Sequence, residues 1–211
     1  FKLGLNRFFS ACTSSGKQIS LIGSIILCAS LIIGVLSITG LGVKLTSLII
    51  SISDNNIWPA LLLTGLACLI LGMEVPTTAA YVICVSVAGP ALVDMGLELL
   101  QVHLFVFWFA LLSTITPPVC GTVFIAAGMV NENWLKVSIT SMSLGIGLYF
   151  IPLAMIANKS ILDLNSTFFL SLLAFIKIAL SLIMLSFSII GNYNPFLRIA
   201  VFLLGLFIMF T

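Results

Sequence analysis

Long apolar stretches separated by short polar breaks make up most of this chain. Residues 19–42, 135–157 and 168–190 are apolar throughout, apart from Lys136, Lys177 and a few small polar residues. At about 1.5 Å per residue, a helix of each length would cross a hydrocarbon core of about 30 Å. A last apolar segment occupies residues 196–211. The pattern predicts an all-α membrane protein.

Two apolar segments in the middle of the chain are joined by a break that a helix does not tolerate. Residues 58–72 would reach only about 22 Å as a helix, and they connect to residues 77–93 through Met73, Glu74, Val75 and Pro76. Pro76 lacks a backbone donor and disfavours helical geometry at Val75. This favours a re-entrant helical hairpin over residues 59–93, with its tip near the membrane midplane. A single span kinked at Pro76 is the alternative.

The apolar stretch at residues 103–130 is interrupted at its centre by Thr114, Ile115, Thr116, Pro117 and Pro118. Two consecutive prolines leave the preceding turn without its ladder hydrogen bonds, which predicts a discontinuous helix. Non-helical backbone is tolerated inside a bilayer only where protein buries it or a watery cavity receives it. Both breaks are therefore candidate functional sites.

These segments divide the chain into five parts. They are a basic cytoplasmic lead (1–18), a transmembrane helix with an interfacial segment (19–58), the re-entrant hairpin (59–93), the discontinuous helix with the following transmembrane helix (94–157), and the C-terminal transmembrane helices (158–211). Residues 91–101, which hold Asp94 and Glu98, are predicted to form a short solvated connector. Because the chain starts at Phe1 and not at Met, we interpret it as a portion of a longer protein.

Composition and charge agree with a lipid environment. With 61% apolar and 7% charged residues, the chain has too little polar surface for a water-soluble globule. A net charge of +2 gives no reason to expect a nucleic-acid partner. Basic residues favour the cytoplasmic side, and the preferred topology places five of them inside (Lys2, Arg7, Lys17, Lys136, Arg198) and two outside (Lys44, Lys159). The reversed topology is the alternative.

Nothing in the sequence indicates an enzyme or a bound cofactor. The five cysteines show no CxxC spacing, and His103 is the single histidine, so neither a zinc nor a haem-attachment site is indicated. His103 also has no serine or cysteine at an obvious same-face spacing. A capping or packing role is favoured for His103 over a proton relay. Lys177 lies mid-span, where we favour interhelical pairing or snorkelling over a role in transport.

Both breaks carry hydroxyl side chains beside the backbone carbonyls that they free: Thr77, Thr78, Ser113, Thr114 and Thr116. Neutral oxygens can replace the hydration shell of Na⁺ without trapping the ion. Helix amino termini near Thr77 and Pro118 would point positive dipole ends inward, which suits an anionic substrate. The alternative is that these hydroxyls only hydrogen-bond carbonyls of their own helices.

Four ordered motifs resemble a known family: LGMEVPTTAAY at 71–81, GPALV at 89–93, HLFVFWF at 103–109 and ITPPV at 115–119. They are similar to the large membrane subunit of tripartite ATP-independent periplasmic (TRAP) transporters, in the type in which the small and large membrane subunits are fused. The resemblance covers roughly residues 35–157. It implies an elevator-type carrier made of two inverted repeats, of which this chain holds the second, with the hairpin tip at 72–78 and the helix break at 114–118.

The resemblance also implies a function. It is that of a multi-pass permease of the bacterial inner membrane, coupled to Na⁺, which imports organic acids such as dicarboxylates or sialic acid. The expected partners are a periplasmic substrate-binding protein, the small TRAP membrane subunit or its fused equivalent, and the lipid bilayer. A non-transporting membrane scaffold that docks a periplasmic partner is the alternative. The break distinguishes the two, because a carrier needs an oxygen-lined break at the membrane midplane and a scaffold does not.

The candidate ligands follow from the two breaks. Those for Na⁺ are Gly72, Met73, Val75, Thr77, Thr78, Thr114 and Thr116, and those for the substrate are Pro76, Thr77, Pro117 and Pro118. Glu74 departs from the small residue usual in the family at the hairpin tip. Its carboxylate either stays in the aqueous cavity, ligates the cation or becomes protonated.

Overall fold

The computed structural model describes residues 4–73, 75–118, 120–162, 168–191 and 194–210, so Lys2 and Glu74 lie outside the described residues. Within these ranges the chain is helical and has no strand, which confirms the all-α prediction. The helices are α1 (Leu5–Ile38), α2 (Leu41–Ser53), α3 (Ile57–Leu71), α4 (Thr77–Val87), α5 (Gly89–Asp94), α6 (Leu99–Leu112), α7 (Gly121–Val130), α8 (Trp134–Leu144), α9 (Ile146–Ala157), α10 (Phe168–Ile190) and α11 (Pro195–Phe210), with a 3₁₀ turn at Lys159–Ile161.

The first two helices cover most of the residues predicted as lead, span and interfacial segment. Helix α1 already begins at Leu5, so most of the basic lead is helical and continuous with the first apolar stretch. Gly40, at φ 66°, separates α1 from α2, because glycine adopts this left-handed conformation without a Cβ clash. Most of the predicted interfacial segment is α2, which packs against α3, α4 and α5 and buries Thr46, Ile49 and Ser53.

The predicted solvated connector at 91–101 is wrong at both of its ends. Ala91 and Leu92 are fully buried in α5, and Gln101 is only 3% exposed. The Gln101 side chain forms a capping box with Glu98 at the start of α6: the Gln101 side-chain oxygen accepts from the Glu98 backbone amide (3.3 Å), and the Glu98 side chain accepts from the Gln101 backbone amide. A polar residue is thus buried where capping gives it partners.

The main core lies where α3, α4, α5 and α6 meet. Its largest fully buried side chains include Phe105, Leu61 and Leu92. Gly65 of α3 lets the Phe109 ring approach so closely that an added Cβ would lie 2.9 Å from the ring. Removing apolar surface from water stabilises a protein by about 25 cal/mol per Å². Lipid is itself apolar, so in a bilayer close packing of this kind holds the helices together instead.

The C-terminal helices are joined by polar contacts at their ends. Arg198 donates from Nε to the Ser188 carbonyl (2.8 Å) and from a terminal nitrogen to the Ile189 carbonyl (2.8 Å), which caps the end of α10. Lys177 of α10 donates to Asn158 Oδ1 (2.9 Å). Of the two alternatives for Lys177, interhelical pairing is therefore the one found in the structure.

Few of the described helices would cross a bilayer unaided. Helix α10 is long and apolar enough to do so by itself. Two bent pairs would each form one further span: residues 26–36 with α2, bent by 67°, and α8 with α9, bent by 41°. Large apolar side chains are exposed on many helices, such as Met129, Phe169 and Phe196, each more than three-quarters exposed. Such surface suits lipid and not water.

Candidate functional site at the junction of two helix breaks

Helices α3 and α4 lie side by side and form a hairpin whose tip is residues 72–76. The Cys84 thiol of α4 lies 3.6 Å from the Cys68 carbonyl of α3. In one continuous helix, residues 16 positions apart would be separated by about 24 Å. At the other end of the hairpin, Ser53 Oγ lies 3.9 Å from Met95 Sδ. The single kinked span is therefore excluded, whereas the re-entrant course in a membrane stays a prediction.

The second break lies between Leu112, the last residue of α6, and Gly121, the first residue of α7. The chain leaves α6 through a tightened turn, in which the Ile115 and Thr116 amides both donate to the Leu112 carbonyl (3.1 Å each). Pro117 and Pro118 then provide no amide donors, and the peptide bond between them is cis. Helix α7 begins at Gly121, three residues after Pro118.

The two breaks touch through Ser113 and Gly72. Ser113 is fully buried, and its hydroxyl lies 2.7 Å from the Ala110 carbonyl of its own helix and 3.0 Å from the Gly72 carbonyl at the hairpin tip. A Cβ on Gly72 would lie 2.5 Å from Ser113 Oγ. The absence of a side chain at position 72 thus permits the contact. We call these two segments together, residues 72–76 and 113–120, the junction.

The threonine hydroxyls of the second break are engaged within the protein. Thr114 Oγ1 donates to the Leu111 carbonyl (2.8 Å), and Thr116 Oγ1 donates to the Leu112 carbonyl (2.6 Å). These are the hydrogen bonds expected from the alternative interpretation of the sequence, in which the hydroxyls bond to carbonyls of their own helix. The hydroxyl oxygens nevertheless keep acceptor positions, so these bonds do not by themselves exclude cation binding.

The remaining predicted site residues are distributed around the tip and the break. Met73, Val75, Thr77 and Pro117 are half-buried, whereas Pro76, Thr78 and Pro118 are exposed. Thr77 and Thr78 begin α4, so the amino terminus of this helix adjoins the tip. The contact that joins the two breaks uses Gly72 and Ser113, and not the threonines. The described oxygens of the junction are carbonyls and hydroxyls.

Two residues of the site were not identified from the sequence. The Thr122 hydroxyl of α7 donates to the Thr114 carbonyl (2.6 Å), so it bridges the break from the other side. The Tyr149 hydroxyl of α9 lies 2.6 Å from Thr116 Oγ1. A tyrosine within an apolar segment is a signal that could have suggested Tyr149, because a buried phenol usually needs a hydrogen-bond partner.

His103 is used in packing between helices. Its Nδ1 lies 2.6 Å from the Tyr81 hydroxyl of α4, and the Tyr81 ring also meets Phe107 edge to face. These contacts fasten the second arm of the hairpin to α6. They agree with the packing role that was favoured for His103.

A cavity of about 320 Å³ lies away from the junction, between α1, α2 and the α4–α5 region. Apolar side chains dominate its walls, and Thr46, Ser86 and Asp94 contribute polar groups. None of the residues that line it belongs to the junction. The candidate site is thus a place where backbone and hydroxyl oxygens meet, and it does not coincide with this cavity.

Apolar helices with exposed apolar faces, packed around two breaks that meet in the core, define the class as a helical membrane protein. The family model described as "Tripartite ATP-independent periplasmic transporter, DctM component" matches residues 2–169. The chain belongs to this family and is a membrane component of a TRAP transporter, not an enzyme. The match confirms the family resemblance. A comparison with curated proteins found no match, and a comparison with solved structures found none either.

Proposed function

We propose that this chain is part of the permease of a Na⁺-coupled secondary transporter in the bacterial inner membrane, and that it imports dicarboxylate-like organic acids. A periplasmic binding protein would deliver the substrate, and the small TRAP membrane subunit or its fused equivalent would complete the permease. The single observation that carries the proposal is the buried Ser113–Gly72 contact, which brings two non-helical segments together. A scaffold would not require this arrangement.

In this proposal the α3–α4 hairpin re-enters the membrane, and α6 and α7 form one discontinuous span in the second repeat of an elevator-type carrier. Carbonyl oxygens at the tip and the Thr78 and Thr116 hydroxyls would provide neutral ligands for Na⁺. The amino terminus of α4, at Thr77, adjoins the tip and carries a partial positive charge. An organic carboxylate would bind there for the same reason that anions bind at other helix amino termini.

Removing two of the proposed oxygen ligands tests the site. Thr116→Ala combined with Thr78→Ala, in the transporter assembled with its partner subunits in proteoliposomes, should weaken the apparent Na⁺ affinity of uptake by about tenfold or more. A hydrogen-bonding group that contacts a charge contributes about 1.5–3 kcal/mol, and about 1.4 kcal/mol corresponds to a tenfold change. The measurement is initial uptake rate against Na⁺ concentration.

Thr140→Ala is the matched control. Thr140 also donates its hydroxyl to the carbonyl four residues earlier, but it is exposed on α8. This variant should keep the wild-type Na⁺ dependence. An unchanged Na⁺ affinity in the double variant would argue against the proposed ligands, and docking of the periplasmic protein without any uptake would favour the scaffold.

A further inference from the structure

Tyr149 is held at the second helix break by contacts on both sides. Its hydroxyl lies 2.6 Å from Thr116 Oγ1. One residue earlier, the Leu148 carbonyl accepts a hydrogen bond from Trp108 Nε1 of α6 (2.8 Å). The Tyr149 ring itself packs against the main core. Helix α9 therefore brings Tyr149 to the break with its backbone fastened to the helix that ends there.

The direction of the bond between the two hydroxyls follows from counting protons. Thr116 has one hydroxyl proton, and the Leu112 carbonyl at 2.6 Å can only accept it. The proton between Thr116 and Tyr149 must then come from the phenol. Tyr149 thus donates into Thr116 Oγ1 and takes one of its two acceptor positions.

This bond conflicts with a cation at Thr116. A cation ligand must turn a lone pair toward the ion, whereas the phenol proton directs the positive end of the O–H dipole at the same oxygen. A cation that used the remaining lone pair of Thr116 Oγ1 would be held more weakly while the phenol proton lies on that oxygen, so cation binding favours a lengthened or broken Tyr149 bond. When the ion leaves, the bond can form again, so the Tyr149 phenol regains an acceptor in the half-buried break.

We propose that Tyr149 is a positioning residue that competes with the coupling cation for Thr116 Oγ1 and so lowers the affinity for that cation. This inference rests on the proposed function. A carrier has to release its ion as well as bind it, so a competing internal donor favours turnover. Because Tyr149 lies on α9, occupancy of the break would also be transmitted to the position of that helix.

Tyr149→Phe tests the competition while it keeps the ring that packs against the core. We expect the Na⁺ concentration for half-maximal uptake to fall by about two- to tenfold, the equivalent of one net neutral hydrogen bond. The maximal rate should stay the same or decrease, because ion release becomes slower. A second readout is binding without transport: the rise in unfolding temperature that Na⁺ causes in the purified transporter should reach its midpoint at a lower Na⁺ concentration.

Tyr81→Phe is the matched control, because it removes another phenol that bonds across helices, to His103 and away from the break. It should leave both Na⁺ midpoints unchanged. Trp108→Phe is a second variant that releases the backbone at Leu148 but keeps the Tyr149 hydroxyl. It should shift the midpoints in the same direction by a smaller factor, and it carries the test if Tyr149→Phe does not fold.

The outcomes separate this inference from the proposed function. Tighter Na⁺ binding in Tyr149→Phe supports competition, whereas an unchanged or weaker midpoint overturns it, because a purely structural tyrosine would give one of those results. If Thr116→Ala weakens the Na⁺ response and Tyr149→Phe does not change it, only the inference fails. If the wild-type transporter shows no response to Na⁺ beyond that to K⁺, both fail.

Discussion

Gly72 illustrates how a single missing side chain can determine a tertiary contact. Its carbonyl accepts from Ser113 at the only place where the described structure joins hairpin tip and helix break by a side-chain hydrogen bond. Conformational freedom is not the reason for glycine here, since the Gly72 backbone lies in the ordinary helical region at φ −85°. The reason is space, because Ser113 occupies the volume that a Cβ would need.

Gly72→Ala should therefore destabilise the protein, by about 1–3 kcal/mol, as is typical of overpacking in a well-packed core. The Cβ would lie 2.5 Å from Ser113 Oγ and 2.9 Å from Ser113 Cβ. The measurement is the unfolding temperature of the purified protein in detergent. Ser113→Gly in the same chain should recover part of the loss, because it removes both of these atoms.

Gly128→Ala provides the control for that substitution. Gly128 is an exposed residue of α7, and a Cβ there meets no atom within 4 Å. This change should be neutral or slightly stabilising, since alanine is the better helix former. Equal losses at positions 72 and 128 would mean that the Ser113 contact does not restrict position 72.

Asn158 has more partners than Lys177 and should matter more for stability. Its Nδ2 donates to the Ala154 and Met209 carbonyls (3.1 Å each), while its Oδ1 accepts from Lys177. Asn158→Ala leaves the Lys177 ammonium without this partner, so we expect a loss of about 1–3 kcal/mol. Lys177→Met removes the charge along with its need for a partner and should cost less.

Thermal unfolding compares these two variants, and Na⁺-dependent uptake of Lys177→Met should match that of the wild type. Lost Na⁺ dependence in Lys177→Met would contradict the structural role of Lys177. A greater loss of stability in Lys177→Met than in Asn158→Ala would contradict the ranking of the two residues.

At the scale of the elements, the hairpin of α3 and α4 makes a prediction about membrane sides. Because the two arms fold back on each other, residue 57 at the start of α3 and residue 94 at the end of α5 should face the same side. Ile57→Cys and Asp94→Cys, in a background with serine at Cys12 and Cys28, should react equally with a membrane-impermeant maleimide in oriented vesicles. Labelling from opposite sides would show that this region crosses the membrane.

The sequence predicted the breaks better than it predicted their contacts. Proline has a local physical effect, so Pro76 and Pro117–Pro118 were sufficient to place both interruptions. Helix α5 was not anticipated, because its burial depends on α3 and α6 and not on its own pattern. The contacts Ser113–Gly72 and Thr116–Tyr149 join residues 41 and 33 positions apart, and no local rule specifies which distant atoms meet.

At the scale of the whole molecule, the family match and the packing cover different parts of the chain. The match ends at residue 169, near the start of α10. Helices α10 and α11 nevertheless pack on α9 through Ala154, Ile178, Leu185 and Met209. Because α9 also carries Tyr149, the C-terminal pair supports the helix that reaches the second break. Sequence resemblance gave no reason to expect this connection.

The shared proton of Ser113 constrains how such a protein can move. Pulling the hairpin away from the end of α6 would break the Ser113–Gly72 contact in a dry interior and leave the Gly72 carbonyl with only the long bond from the Val75 amide (3.4 Å), at a cost of roughly 0.5–1.5 kcal/mol. A displacement that keeps them in register avoids this penalty. The hairpin and the end of α6 should consequently travel as one rigid block, and the surfaces that slide during a transport cycle should be sought at the periphery of that block.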